Sequence, residues 1–238
     1  MFLDPKNGPE FDLPECSPTR TYAVASLPRT GSTLLCRGLW DTGVCGAPKE
    51  YLNPMQLRDW GLRAGRRRYR LLVGPLQVLA RGDVAEHLAE VRRRRSSNGW
   101  FGLKIHRHHW ETFGSSVEVN RWIVITRRDR VAQAVSWARA IQTGRWADWQ
   151  KSVLPPVYSR SRIERCLEQI HRDEAAWREE LDDALEVVYE DLVQDFRATL
   201  SDVLEHLEVR ASDLPAPAMS RQADAISQAW VERFRSGR

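Results

Sequence analysis

The chain has 238 residues, 42% of them hydrophobic and 29% charged, with a formal net charge of +4. That length fits one domain and can bury a core without disulfides or structural metal. No apolar run approaches the roughly 18 residues of a spanning helix, which excludes an integral membrane protein. Residues 1–20 lack the apolar core of a secretory signal, so a cytoplasmic location is expected.

In chain order, residues 1–20 read as an irregular arm and 21–238 as a single domain. Thr21 to Leu27 is a short apolar run bounded by Pro28 and Gly31, which predicts a buried strand. Ser32 to Trp40 follows with Leu34, Leu35 and Leu39 at helical spacing. A loop is expected over Asp41 to Pro54. Residues 55–97 read as helical with glycine breaks, and Val84 to Arg95 is the best helix among them. Further strands are predicted at Trp100 to Ile105, Arg121 to Thr126 and Ala184 to Tyr189, the second being β-branched at its centre. Helices are predicted at Arg130 to Ile141, at 162–181 and at Leu192 to Leu207. Gly144 to Tyr158 reads as a loop or lid. Alternating strands and helices imply an α/β fold, a central parallel sheet with helices on both faces. In such sheets ligands bind at the carboxyl ends of the strands.

Cys16, Cys36, Cys45 and Cys166 form no CxxC pair, so packed thiols are expected rather than a disulfide or zinc framework. Lysine occurs only at Lys6, Lys49, Lys104 and Lys151, which makes Lys104 conspicuous in an arginine-dominated chain. The basic excess favours anionic ligands. The runs Arg66–Arg68 and Arg92–Arg95 lack the interleaved aromatics or helix-turn-helix pattern of a nucleic-acid binder.

Two strand-end loops carry candidate chemistry. In Pro28-Arg29-Thr30-Gly31-Ser32-Thr33, Gly31 permits close backbone approach, Ser32 and Thr33 offer hydroxyls, and the helix behind them presents free N–H groups to an anion. This is P-loop-like but lacks the GxxxxGK[ST] pattern of a nucleotide phosphotransferase. In the second loop, Arg127 stands at a strand tip and Ser136 two turns into the next helix, a spacing that can pinch one phosphate.

Together these motifs resemble sulfotransferases that use 3′-phosphoadenosine 5′-phosphosulfate (PAPS) and release adenosine 3′,5′-bisphosphate (PAP). The resemblance assigns Pro28, Arg29, Thr30, Gly31, Ser32 and Thr33 to the 5′-phosphosulfate and Arg127 with Ser136 to the 3′-phosphate. Tyr189, in Val187-Val-Tyr-Glu-Asp-Leu192, is placed near the adenine. The Stf0 subfamily of bacterial trehalose 2-sulfotransferases is the nearer likeness. It rests on Arg127 through Gln142, on Gly46-x-Pro-x-Glu50, and on Arg221-Gln-Ala-Asp followed by Trp230-Val-x-Arg-Phe. Arg221 joins the donor-binding set on that likeness.

What the resemblance implies is a P-loop-like three-layer fold and in-line sulfuryl transfer to a hydroxyl of a small molecule. Arg29 and Lys104 would stabilise the transferring group, and no metal would be needed. Two residues compete as general base. Glu50 matches the Stf0 glutamate, and burial could lift such a carboxylate toward neutrality. His106, in Lys104-Ile-His106, matches the base of the eukaryotic cytosolic enzymes. The reading favours Glu50, with His106 assisting by binding the acceptor or the sulfuryl oxygens. The cluster His106, His108, His109 has no recognised zinc spacing. Trp137, Trp146 and Trp149 could stack on a ring of donor or acceptor, whereas Trp177 reads as core. Pro28 stands where the Stf0 proteins carry a sugar-contacting glutamine, and Ala47 replaces an acidic residue. A natural product or another carbohydrate is therefore as reasonable an acceptor as trehalose. A homodimer is compatible with this reading. The rival readings are a nucleotide phosphotransferase and a basic nucleic-acid-binding protein.

Overall fold

The computed structural model describes residues 4–65, 84–146, 150, 154–218 and 224–237. Its strands β1 (Arg20–Ser26), β2 (Ser96–Ser97), β3 (Trp100–His106), β4 (Arg121–Thr126) and β5 (Ala184–Val188) form one sheet in the order β2-β3-β1-β4-β5. Pairing is parallel throughout except where the two-residue β2 meets the start of β3. The helices are α1 (Ser32–Asp41), α2 (Pro54–Arg63), α3 (Val84–Arg95), α4 (Arg107–Phe113), α5 (Arg130–Thr143), α6 (Arg160–Glu180), α7 (Tyr189–Gln194), α8 (Phe196–His206) and α9 (Ala225–Arg235).

Side chains alternate across a strand, and β1 shows what that does. Ala23 and Ala25 enter a core shared with α2, α3, α5, α6 and α9, while Tyr22 and Val24 enter one shared with α1, α7 and α8. A strand buried on both sides reads as a continuous apolar run, which is why β1 was legible. The three-layer α/β architecture is thus the one the sequence implies. Trp177 is core at 1% exposure, beside Trp110 and Trp122. Cys36, Cys45 and Cys166 are buried free thiols.

Two expectations need correction. The Ser-Ser edge strand β2 carries no apolar signal and was not foreseen. The single helix expected over Leu192 to Leu207 is two, α7 and α8, interrupted at Asp195. The Asp195 carboxylate accepts the N–H of Ala198 at 2.9 Å and so caps α8. The apolar stripe looked unbroken because Leu192, Phe196, Leu200 and Val203 all face one core. Of the helical stretch expected over 55–97, residues 66–83 lie outside the described residues, Arg66 to Arg68 among them.

The N-terminal arm lies against the domain through two short 3-10 turns, Pro5–Asn7 and Pro9–Phe11. Arg95 anchors it. Its guanidinium is buried, donates to the carbonyls of Lys6, Gly8 and Phe11, and pairs with Asp12. Arg93 and Arg94 pair with Glu15, Glu90 and Asp12. Most of the Arg92–Arg95 run is therefore engaged by the chain's own carboxylates and carbonyls.

Candidate active site

The loop from β1 to α1 turns through two left-handed residues, Arg29 at φ 66° and Gly31 at φ 83°. Thr30 ties the turn by donating its hydroxyl to the Leu27 carbonyl at 2.9 Å. Gly31 is required twice over. Its φ disfavours a side chain, and a Cβ there would lie 2.3 Å from the Tyr189 ring. Tyr189 opens α7 rather than ending β5, and its ring thereby covers the loop. α1 begins at Ser32, directly after that turn, and a helix start presents N–H groups without intrahelical partners.

Arg29 reaches across to α5. Its Nε donates to Ser136 Oγ at 2.9 Å and its Nη1 to the Trp146 carbonyl at 3.0 Å. Arg127, at the end of β4, donates to the Arg29 carbonyl at 3.3 Å and lies over the Tyr189 ring at 4.8 Å. Its Nε is 4.0 Å from Glu190. The expected Arg127–Ser136 pinch is therefore joined through Arg29, which occupies the Ser136 hydroxyl. Trp146 is 45% exposed. Arg221 and Trp149 lie outside the described residues.

A second group gathers at the end of β3. Lys104 and His106 are two residues apart on one strand and so project from one face, the face of α1. Parallel register sets His106 beside Ser26 of β1. The loop carrying Glu50 runs alongside. Lys49 bridges to Leu103, and the Lys104 N–H donates to the Lys49 carbonyl at 2.9 Å. Gly46, at φ 78°, lets that loop pass, since a Cβ would lie 2.7 Å from the Arg95 carbonyl.

The two rival bases are consequently neighbours. Glu50 Oε1 is 2.7 Å from Lys104 Nζ and 3.3 Å from His106 Nε2. Glu50 Oε2 accepts Asn53 Nδ2 at 3.0 Å. Lys104 Nζ also donates to Thr33 Oγ1 of α1 at 3.1 Å. The three side chains are 23%, 8% and 11% exposed for Glu50, Lys104 and His106.

The electrostatics correct one expectation. Burial works to raise the Glu50 carboxyl, but the charge and hydrogen bond of Lys104, joined by those of His106 when its ring is protonated, outweigh it. They hold Glu50 well below the ordinary glutamate range. Glu50 is an anion at neutral pH, not a carboxyl lifted toward 7. Farther out, burial takes His109 down to about 3, helped by His108, and lowers His108 as well. Lys49 does not partner Glu50: it binds Asp4 at 2.9 Å and Asn7 at 2.8 Å, and burial lowers it to about 8. Among the described residues no group of three or more His, Cys, Asp or Glu is placed to hold a metal ion.

Three partners escaped the sequence reading. Asn53 fell inside the loop expected over Asp41 to Pro54, although it caps α2 and steadies Glu50 as well. Ser26 and Glu190 are ordinary strand and helix residues until the sheet register brings them to His106 and Arg127.

The Stf0 sulphotransferase profile matches residues 21–119 and 111–237. A trehalose 2-sulfotransferase of Mycobacterium tuberculosis (strain ATCC 35801 / TMC 107 / Erdman) is 28% identical over 254 residues, covering 91% of this chain and 95% of that protein. Another, from Mycolicibacterium smegmatis, is 29% identical over 253 residues, covering 90% and 94%. Two solved structures share the fold. The sulfotransferase domain of the Synechococcus PCC 7002 olefin synthase has a TM-score of 0.50 at 19% identity, covering 94% of this chain and 90% of its own. The sulfotransferase domain of the curacin biosynthetic pathway has a TM-score of 0.51 at 16% identity, covering 88% and 82%. With the profile spanning both the anion loop and the Glu50 cluster, the chain belongs to the Stf0 sulphotransferase family.

Proposed function

We propose that this sulfotransferase moves a sulfuryl group from PAPS to a hydroxyl of a small acceptor, with Glu50 taking the acceptor's proton. The observation that carries the reading is the double bonding of Lys104, whose ammonium touches both Thr33 of the anion loop and Glu50. One side chain thus joins the donor site to the base.

The residues fit the donor's chemistry. The α1 N-terminus offers N–H donors for one phosphate, and Arg29 and Arg127 add two fixed positive charges. Ser136 supplies a hydroxyl beside them. Sulfuryl transfer gains most from placed charge, because negative charge grows on the leaving phosphate. Lys104 is positioned to meet that charge. As its ammonium turns from Glu50 toward an anion at Thr33, Glu50 loses its strongest stabilising partner and becomes more basic. Basicity then rises when a proton must be accepted.

The acceptor is a carbohydrate or natural-product hydroxyl. The relatives named for trehalose support a sugar, while Pro28 and Ala47 depart from the sugar-contacting pattern and argue for a different one. Calorimetry with PAP and with AMP, in EDTA, tests the donor half: PAP should bind at least tenfold tighter. Equal binding of the two, or a requirement for magnesium, would favour a nucleotide phosphotransferase. Sulfur-35 transfer from PAPS to trehalose and to a panel of other hydroxyl compounds tests the acceptor half.

A further inference from the structure

We infer that Glu50 and His106 form a single proton-accepting unit, in which the proton taken from the acceptor is shared between Glu50 Oε1 and His106 Nε2. This rests on the reading of Glu50 as base and gives the histidine a catalytic part that does not involve binding the acceptor.

Hydrogen-bond polarity makes the argument. His106 Nδ1 is 3.0 Å from the Ser26 carbonyl oxygen, and a carbonyl only accepts, so Nδ1 carries a hydrogen. Ser26 Oγ, 3.2 Å away, accommodates the same tautomer. In the neutral ring Nε2 therefore presents a lone pair. It presents it to Glu50 Oε1 at 3.3 Å, which as a carboxylate oxygen also only accepts. Two acceptors face each other, and the contact becomes a hydrogen bond only when one further proton lies between them. With the ring neutral, that place is open.

The remaining groups around the pair define the charge. From β3, Lys104 supplies one cation; from α1, Cys36 faces it as a thiol that burial pushes up to about 12. From α4, His108 and His109 are lowered and stay neutral above mildly acid pH, with His109 at about 3. From the start of α2, Asn53 donates to Oε2. A proton arriving at the pair meets one cation and one anion, and the neighbouring His108 and His109 are both made less basic. Shared with the facing imidazole nitrogen, the proton need not rest on Glu50 alone, which Lys104 holds low.

The step balances as follows. The acceptor oxygen forms its bond to sulfur while the bond from sulfur to the donor's 5′-phosphate oxygen breaks, and PAP leaves with that electron pair. The acceptor's proton passes to the Glu50–His106 unit and later to solvent. No oxidant or metal enters the balance.

His106→Gln tests the unit. Turnover should fall 10- to 100-fold with donor KM unchanged, and the acid limb of the kcat profile should move down by at least one pH unit, because Glu50 alone remains. An unmoved limb with a raised acceptor KM would overturn the inference and make His106 an acceptor-binding residue. An independent readout needs no turnover. Nitrogen-15 spectra of histidine-labelled protein, with His106 assigned by its loss in His106→Gln, should show the Nδ1–H tautomer, and Glu50→Gln should shift the Nε2 signal. An Nε2–H tautomer overturns the shared proton even where PAPS serves as donor. Full activity in Glu50→Gln overturns the base assignment itself, and with it the unit.

Discussion

At the end of β3 the charges of Lys104 and Glu50 neutralise one another in a nearly dry cluster, with His106 completing it. At the tips of β1 and β4 the arrangement is different. The partners of Arg29 include a serine hydroxyl and a backbone carbonyl, and Arg127 reaches a carbonyl and the face of a tyrosine. Neutral dipoles are among the groups that hold those two cations, and Glu190 stands 4.0 Å from Arg127, against 2.7 Å between Glu50 and Lys104. The Lys104–Glu50 pair must be loosened before either member acts. Under the proposed function, one end is an anion site and the other a catalytic group whose strength depends on whether that site is filled.

The contrast breaks most sharply at Glu50. Glu50→Gln keeps the shape and removes the basicity, so kcat should fall about 10²–10⁴-fold, roughly 3–5 kcal/mol of barrier. PAP affinity by calorimetry should hold, because Glu50 is not a phosphate contact. A parallel loss of PAP binding would show that the two ends are one site with one function.

Lys104→Met probes the link between them. Removing one member of a largely buried pair typically costs about 3–5 kcal/mol, read as a lowered midpoint in urea unfolding. The pH dependence has a definite sign. Glu50 is lower in the folded chain than unfolded, so its ionised form contributes stability above the unfolded value near 4.3. That contribution is lost as pH falls through the folded value. Without Lys104 the depression shrinks, and acid unfolding should begin at a higher pH than in the unsubstituted protein.

At the other end, Arg127→Ala should weaken PAP by about 1.5–3 kcal/mol while leaving AMP nearly unaffected. The preference for PAP over AMP then collapses in calorimetry. Unchanged PAP affinity would move the 3′-phosphate away from β4. The smallest effect is expected at Ser136. Ser136→Ala removes one hydroxyl from Arg29 and from the ligand alike, and the net loss in PAP affinity should stay within about 0.5–1.5 kcal/mol.

Legibility in the sequence followed the same division. The anion loop is contiguous, and Pro28 through Thr33 show a glycine, hydroxyls and a cation in one stretch. The β-branched run before Arg127 marked a strand tip in the same way. The second cluster is assembled from Glu50, Lys104 and His106, the latter two lying 54 and 56 positions beyond the first, and nothing local couples them. Both candidate bases could be named, yet they read as alternatives. Their adjacency depends on the bridge from Lys49 to Leu103 and on the Ser26–His106 register. The Asp195 break went unseen for a related reason: the pattern reports which face is buried, and α7 and α8 bury the same one.

What the sequence by itself determined is the layered α/β plan, the anion loop and the identity of the residues able to do chemistry. These depend on hydrophobic periodicity and on short-range backbone geometry, which neighbouring residues set. Only the tertiary structure decided that Glu50 is held ionised, that Ser136 is occupied by Arg29, and that Glu50 and His106 face each other at 3.3 Å. Those properties come from electrostatics and hydrogen-bond polarity between groups far apart in the chain. A charge's neighbours within about 4–6 Å set its protonation, and folding alone brings these neighbours within that distance.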